Sequence, residues 1–505
     1  MTKTPLTLPA GVVATPTKKS RSANWADANL VRWEDGKLTP IGGWERIGYT
    51  APASKIRAIH TWTLINGQQC TAYLCEGHCY VDTGDGVLLN ISPTTAITPP
   101  GALSAGGYGD NVYSYGDYGT ARPDVDRPKP ITPGYYIDNW GQNLLVMTST
   151  DGRLLMWDPT TPGYVLEPVA NAPTANRAFV VTKQRHVMLF SAGGVFNRFA
   201  WCSQEDIENW SYTDVTKTAG FYDIEPASPI ITACAVGNEV VFWAASGDMY
   251  VARYIGVPFV YSYEAISEGG VPLSPMSVCA TPNGAIWVSS DGVWKYEAST
   301  VEPVYCPIWT WVTENYNDIR ARYSASIFQL NTKSEVWWLF PDANNEENTR
   351  AIIWNYKEGW WTKARIRRTC GSSSSYTTFP IMSNGLDVFK HESGFYYNTQ
   401  GEETYPWATT FTLNAEAGVI LATCMPMLPD ITGQVNGVDF ELSYTIPRAG
   451  GAERLSGRKM VGPGGYVPFR DTGRDFRLTV RQRTNGIGPW TVGECLTDFI
   501  GRGDK

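Results

Sequence analysis

Four possible metal ligands, Cys70, Cys75, His78 and Cys79, fall within ten residues of one another. A zinc centre needs three or four such groups converging, commonly as two spaced pairs, and the second pair is missing. Cys75 and Cys79 flank a turn between two apolar runs, which suits thiols packed as small hydrophobes beside a strand pair. The other histidines, His60, His186 and His391, are scattered. Hydrolysis needs paired carboxylates or a nucleophile with its base. The nearest pattern, Ser289-Ser290-Asp291-Gly292-Val293-Trp294, has the wrong spacing for an Asp-box, and its Asp-Gly pair is a good hairpin turn. No GxSxG, HExxH or Gly-rich phosphate loop stands where a strand would lead into a helix. The expectation is a protein that is not an enzyme and takes no metal or cofactor. Lys363, Arg365, Arg367 and Arg368 alternate along a strand and read as a basic stripe, better suited to solvent or an acidic partner surface than to DNA. Arg502-Gly503-Asp504, the integrin tripeptide, is read as coincidence in a chain without a secretion signal.

The elements that hold these residues follow from composition. Of 505 residues, 43% are hydrophobic, with 20 Trp, 27 Tyr and 17 Phe, enough to bury a large core. Only 18% are charged, against the charge-rich, aromatic-poor pattern of disorder. The 49 Gly and 33 Pro break helices and suit many short strands joined by turns. A net charge of −8 argues against sequence-specific nucleic-acid binding, which needs a basic surface. Ten cysteines, most of them in apolar runs, imply folding in a reducing cytoplasm. The longest apolar stretch, 418–428, is too short to span a membrane.

One unit recurs. An aromatic or β-branched run enters a turn of Gly, Asp, Asn or Ser, and a second apolar run returns. The pattern appears at 144–157 around Asp151-Gly152, at 187–201 around Gly193-Gly194 and at 240–254 around Ser246-Gly247-Asp248. It appears again at 285–296 around Asp291-Gly292 and at 336–354 around 342–345. Successive turns lie 42, 54, 44 and 53 residues apart. A period of roughly 40–50 residues with about four strands per unit is that of propeller blades. Hairpins at 71–81 around Glu76-Gly77 and at 390–397 around Ser393-Gly394 extend the series. The expected fold is all-β: a β-propeller of about six blades over 51–400, with an N-terminal arm (1–50) and a C-terminal β region (401–505). A chain of β-sandwiches is the competing architecture. Residues 101–134 form an inserted Gly/Tyr-rich and Pro-rich loop, and long loops of this kind tend to be functional or disordered. The C-terminal stretch from Arg448 to Lys505 is locally basic, with 11 Lys/Arg against 6 Asp/Glu.

Several stretches are more specific. They are Leu8-Pro9-Ala10-Gly11-Val12-Val13, then 22–33 (SANWADANLVRW), then Leu38-Thr39-Pro40-Ile41-Gly42-Gly43-Trp44. The loop at 106–119 ends in Tyr118-Gly119-Thr120-Ala121-Arg122-Pro123. Further on stand 198–203 (RFAWCS) with Asn209-Trp210, and 490–498 (WTVGECLTD). Together they resemble the packaged-DNA stabilisation, or tail nozzle, proteins of short-tailed bacteriophages. The resemblance runs from end to end, although the chain closes in GRGDK rather than a plain basic run. It implies a virion protein of the phage tail, assembled in the host cytoplasm as a ring of six subunits below the head-to-tail adaptor. Such a ring would retain packaged DNA, pass double-stranded DNA without sequence-specific binding, and carry the tail needle or plug and the spikes or fibres. An acidic lumen would repel phosphates and let DNA slide. Contacts would come from Trp25, Trp33 and Trp44 of the arm, which could equally close a blade. The loop tyrosines Tyr108, Tyr113, Tyr115 and Tyr118 and the basic Arg365, Arg367 and Arg368 are the other candidates. A carbohydrate-binding or carbohydrate-cleaving propeller is the alternative function, and would need acids, Arg and aromatics converging at a channel mouth. A WD-type scaffold is disfavoured by the lack of Gly-His and Trp-Asp blade marks.

Overall fold

Each glycine- or aspartate-centred turn folds an aromatic run back on its predecessor, and the resulting strands assemble in fours. In the computed structural model, residues 4–14, 24–99, 132–161, 163–214, 216–268, 270–399, 402–413, 421–446 and 452–502 are described. The loop bearing Tyr108, Tyr113, Tyr115 and Tyr118 lies outside them. Seven sheets have four antiparallel strands each, in simple up-and-down order. Blade 1 begins with Ile56–Thr63, blade 2 with Tyr135–Trp140, blade 3 with Ala178–Val181 and blade 4 with Ile230–Val236. Blade 5 begins with Val278–Thr281, blade 6 with Ser326–Leu330 and blade 7 with Cys370–Ser372. These first strands neighbour one another in that order, and Cys370–Ser372 returns to Ile56–Thr63. The ring is closed, and the protein is a seven-bladed β-propeller.

The second strand of each blade is buried along most or all of its length, and largely apolar, because both of its faces are covered. In blade 2, Leu144 and Val146 pack toward blade 1, while Leu145 and Met147 pack toward blade 3. In blade 4, Val240, Phe242 and Ala244 face blade 3, and Val241 and Trp243 face blade 5. The strand period of two thus deals the side chains of these two strands into two separate cores. The unequal turn spacing also has local causes. Residues 202–219 intervene before the last strand of blade 3, and two short helices, Trp309–Asn315 and Asp318–Ser324, intervene before blade 6. Each helix has seven residues, too few for a helical period to register in the sequence. The second is started by Asn317, whose side chain accepts the Arg320 amide.

The propeller axis is occupied by residues 272–277. The Pro275 carbonyl accepts the Thr232 hydroxyl of blade 4, and Met276 Sδ receives the Tyr135 amide of blade 2. The Met276 carbonyl accepts the Ile327 amide of blade 6. Three blades that are not neighbours in the ring share this segment, so it sits at the centre.

The described residues among the first fifty are distributed through the fold rather than extended as a separate arm. Trp44–Ile47 is the fourth strand of blade 7, pairing with Val388–His391 and closing the ring as a seam between distant parts of the chain. The hairpin expected around Ser393-Gly394 is the exit from that blade; its own second and third strands are Ile381–Ser383 and Val388–His391. The earlier strands join the C-terminal residues in two sheets around one core. Thr4–Leu6 and Lys37–Pro40 both pair with Trp490–Thr497, whose other edge takes Leu428–Gly433, and Val31–Glu34 pairs with Lys37–Pro40. Trp25–Asn29 pairs with Trp407–Thr410, which pairs with Thr472–Gln482. Leu30 adopts a left-handed φ of 55° between the two sheets' strands.

The joint between this β domain and the propeller is buried and charged. Arg32 Nε lies 2.8 Å from Glu335 of blade 6, and its Nη2 lies 2.7 Å from Glu392 at the end of blade 7. Arg32 is 2% exposed and Glu335 fully buried. The Gly42 amide donates to Glu392 at 3.1 Å, and a Cβ at Gly42 would come within 2.6 Å of Glu392 Cα, so the approach needs glycine. Burial opposes the Arg32 charge, and the two carboxylates more than restore it. Burial pushes the Glu335 carboxyl up, whereas the Arg32 guanidinium and the Gly42 amide hold Glu392 below the usual range against the same burial. Removing one partner of a buried ion pair costs about 3–5 kcal/mol because the other charge is stranded. Arg32→Ala, which strands two carboxylates, is expected to lower the denaturation midpoint more than Glu335→Gln. Lys333→Ala, which breaks the exposed pair with Glu34, should cost about 1 kcal/mol or less. Equal midpoints for Arg32→Ala and Lys333→Ala would refute the ranking.

Candidate functional site

A cleft of about 720 Å³ opens where blade 6 meets the C-terminal β domain. Five arginines line it: Arg350, Arg365, Arg367, Arg458 and Arg481. Blade 6 supplies Arg350 and Arg365 from neighbouring strands, where they stand directly opposite one another. Like charges in that position repel. Arg367 follows two residues after Arg365, on the same side by the strand period. Arg481 comes from Thr472–Gln482, opposite Trp407, and Arg458 from the loop after Glu453–Leu455. Asn29 fastens the two walls together, its Oδ1 accepting the Arg365 amide at 2.7 Å. Thr404, Tyr405 and Trp407 complete the far wall.

Among the described residues, negative charge in the cleft is scarce. Asp342 is the lining carboxylate, 3.5 Å from Arg350. Burial pushes the Asp342 carboxyl up, but hydrogen bonds from Asn345 and the Asn344 amide and the nearby Arg350 charge hold it below its ordinary value. Among the described residues, Arg365, Arg367, Arg458 and Arg481 have no carboxylate within ion-pair distance. Arg350 Nε and Arg481 Nε are hidden from solvent without a hydrogen-bond acceptor. Burial, followed by the Arg458 charge, pulls the Arg481 guanidinium below its ordinary value, with Glu441 and Asp439 only partly offsetting them. Such a site is chemically an anion receptor: planar forks fixed on strands, with donors unused.

The expected contact residues divide. Arg365 and Arg367 are exposed in the cleft. Arg368 is not part of any surface stripe, because the strand period turns it to the opposite face, where it is fully buried. Its guanidinium lies 4.1 Å from the Phe389 ring centroid and 5.0 Å from that of Trp44, and its Nε donates to His391 Nε2 at 2.8 Å. Lys363 is buried too, 2.6 Å from Asp27. Trp25, Trp33 and Trp44 are 4%, 1% and 5% exposed, so the chain's own core takes all three indoles. Trp33 packs edge-on against Trp360 of blade 6 at 5.8 Å. Arg350, Arg458 and Arg481 were missed by the sequence reading; only the basic excess after residue 448 hinted at the last two.

The remaining candidates lie within the blades. Cys70, Cys75 and Cys79 are buried in blade 1, and burial pushes the Cys70 thiol up to about 11. His78 Nδ1 lies 3.1 Å from Ser54 Oγ. Among the described residues, no three His, Cys, Asp or Glu side chains are grouped as metal ligands. Asp291 sits in the blade 5 turn and accepts the Trp294 indole N–H at 3.0 Å. No described helix is long and apolar enough to cross a membrane.

No protein-family model matches the chain, and no curated protein does. Solved structures of similar fold include RRP9 WD40 repeats, at 8% identity over 70% of this chain and 99% of that one, TM-score 0.40. BamB from Moraxella catarrhalis matches at 11% identity over 70% and 99%, TM-score 0.38. A catalytically inactive virginiamycin B lyase from Staphylococcus aureus with quinupristin matches at 8% over 55% and 92%, TM-score 0.34. Likenesses this distant carry nothing about function; the propeller is established by its own strand order.

The Arg368–His391 pair makes a pH prediction. Burial pulls Arg368 down to about 9, which leaves it protonated at neutral pH. Burial first, and that neighbouring charge second, hold His391 neutral, well below the usual imidazole value. A histidine whose folded pKa lies below its unfolded value of about 6.5 binds fewer protons when folded. Its effect is absent above about pH 6.5, and stability falls as the pH drops below that. His391→Gln should therefore flatten the loss of stability between about pH 6.5 and 5, read as denaturation midpoint against pH. Parallel profiles for the two proteins would refute the assignment.

Proposed function

We propose that this chain is a structural subunit of a short phage tail, forming the nozzle ring that continues the DNA channel below the head-to-tail adaptor. The observation that carries the reading is where the resembling stretches meet. The segments at 8–13, 25–33, 38–44 and 490–498 come from opposite ends of the sequence and converge on one joint. Trp490–Thr497 pairs with both Thr4–Leu6 and Lys37–Pro40, and the Val12 amide donates to the Trp361 carbonyl of blade 6. Stretches that meet in space constrain one another, which is what a shared architecture requires. RFAWCS and Asn209-Trp210 also form one unit in blade 3, the Ser203 amide donating to the Asn209 carbonyl.

The occupied propeller axis bears on the mechanism. DNA would run along a lumen between subunits, with each propeller acting as a rigid wall. A net charge of −8 suits a wall that repels phosphates rather than holding them. In this role the ring would retain packaged DNA until ejection and carry the needle and the spikes or fibres. Co-expression with the adaptor should give closed rings, six-fold by electron microscopy, and antibody against this chain should label the tail of virions. A protein that stays monomeric with its adaptor, and virions that remain unlabelled, would overturn the reading.

A further inference from the structure

The geometry points to a second property, independent of the tail assignment: we infer that the arginine-lined cleft between blade 6 and the C-terminal β domain is a receptor for an acidic peptide segment of a partner protein. The cleft gathers Arg350, Arg365, Arg367, Arg458 and Arg481 around one lining carboxylate, Asp342. Four of these guanidiniums lack an ion-pair partner among the described residues, and two buried Nε–H groups have no acceptor. Both facts are unfavourable in the free protein. Arg350 repels Arg365 across a strand pair, and Arg458 weighs on Arg481. A bound anion relieves both penalties at once, and a carboxylate can take two parallel N–H donors from one guanidinium.

Size and charge select the class of anion. A recess of about 720 Å³ admits a few side chains of a peptide, whereas a DNA duplex, with a major groove alone about 12 Å wide, presents its phosphates on a convex surface that cannot enter. The chain as a whole carries a net charge of −8, which opposes long-range attraction of a nucleic acid but leaves a local basic recess able to take a few carboxylates. Tyr405 and Trp407 give the far wall apolar surface against which a peptide's methylenes can lie. A free phosphate would reach only some of these donors, because the arginines come from both walls.

The test uses the full chain and a fluorescently labelled octaglutamate peptide in an anisotropy titration at 0.15 M salt. Saturable binding is expected, weakened about tenfold or more by Arg367→Gln with Arg458→Gln. Both residues are exposed, so the folded protein should keep its denaturation midpoint. Competition separates the sources: inorganic phosphate and a 20-base-pair duplex should displace the peptide poorly. Binding that the double substitution leaves unchanged would overturn the inference. So would no binding, or displacement by duplex or phosphate at lower concentration than unlabelled octaglutamate.

Discussion

A single buried cation, Arg32, holds together parts of the chain that nothing local could join. It donates to Glu335 in blade 6 and to Glu392 at the exit of blade 7, residues some 300 or more positions away in sequence. A buried ion pair is a poor source of net stability, since desolvation consumes most of the Coulombic gain. Its value is selectivity: any other docking of the N-terminal hairpin would leave three charges unmatched in an apolar joint. Trp33 packing on Trp360, the Tyr397 hydroxyl donating to the Ile41 carbonyl, and the Lys363–Asp27 pair then close around a position already fixed.

That joint governs both halves of the molecule. Trp44–Ile47 can complete blade 7 only when residues 31–43 have been placed, because the Gly42-Gly43 bend runs straight from the Arg32 site into the closing strand. Both glycines lie against the 392–396 backbone, where a Cβ would come within 2.6 Å of Glu392 or Tyr396 atoms. Upstream, the same placement aligns Lys37–Pro40 with Trp490–Thr497. A propeller without its closing strand would keep an open edge, and the C-terminal sheet would lack its N-terminal partners. Ring closure and assembly of the second domain are therefore one event, read from the same fifty residues.

The sequence discloses what is local and conceals what is not. Blade hairpins are legible because Asp151-Gly152, Gly193-Gly194 and Asp291-Gly292 write the turn directly beside the strands it joins. The blade number is less so, since blade 7 borrows its outer strand from the other end of the chain. Trp25 and Trp33 read either as contact anchors or as closing a blade; a large indole also fills an interdomain core, and only the partner strands decide which. Arg368 shows how one step along a strand separates a surface charge from a buried one. The cleft was half visible: Arg365 and Arg367 stand two residues apart in sequence, but Arg350, Arg458 and Arg481 reach it only through tertiary folding.

The two arginine sites meet the same problem from opposite sides of the joint. Inside, Arg32 is matched in full and fixes the two domains relative to one another. Outside, five arginines contributed by the same two domains are left largely unmatched, with like charges opposed across the blade 6 strands. A fold under pressure for stability alone would dilute such a cluster, since replacing one exposed Arg costs no core packing. The cluster lies beside a joint that Arg32 already secures with matched charges. An anion bound across it would touch both walls and stiffen the junction from without, linking recruitment of a partner to the rigidity of the subunit.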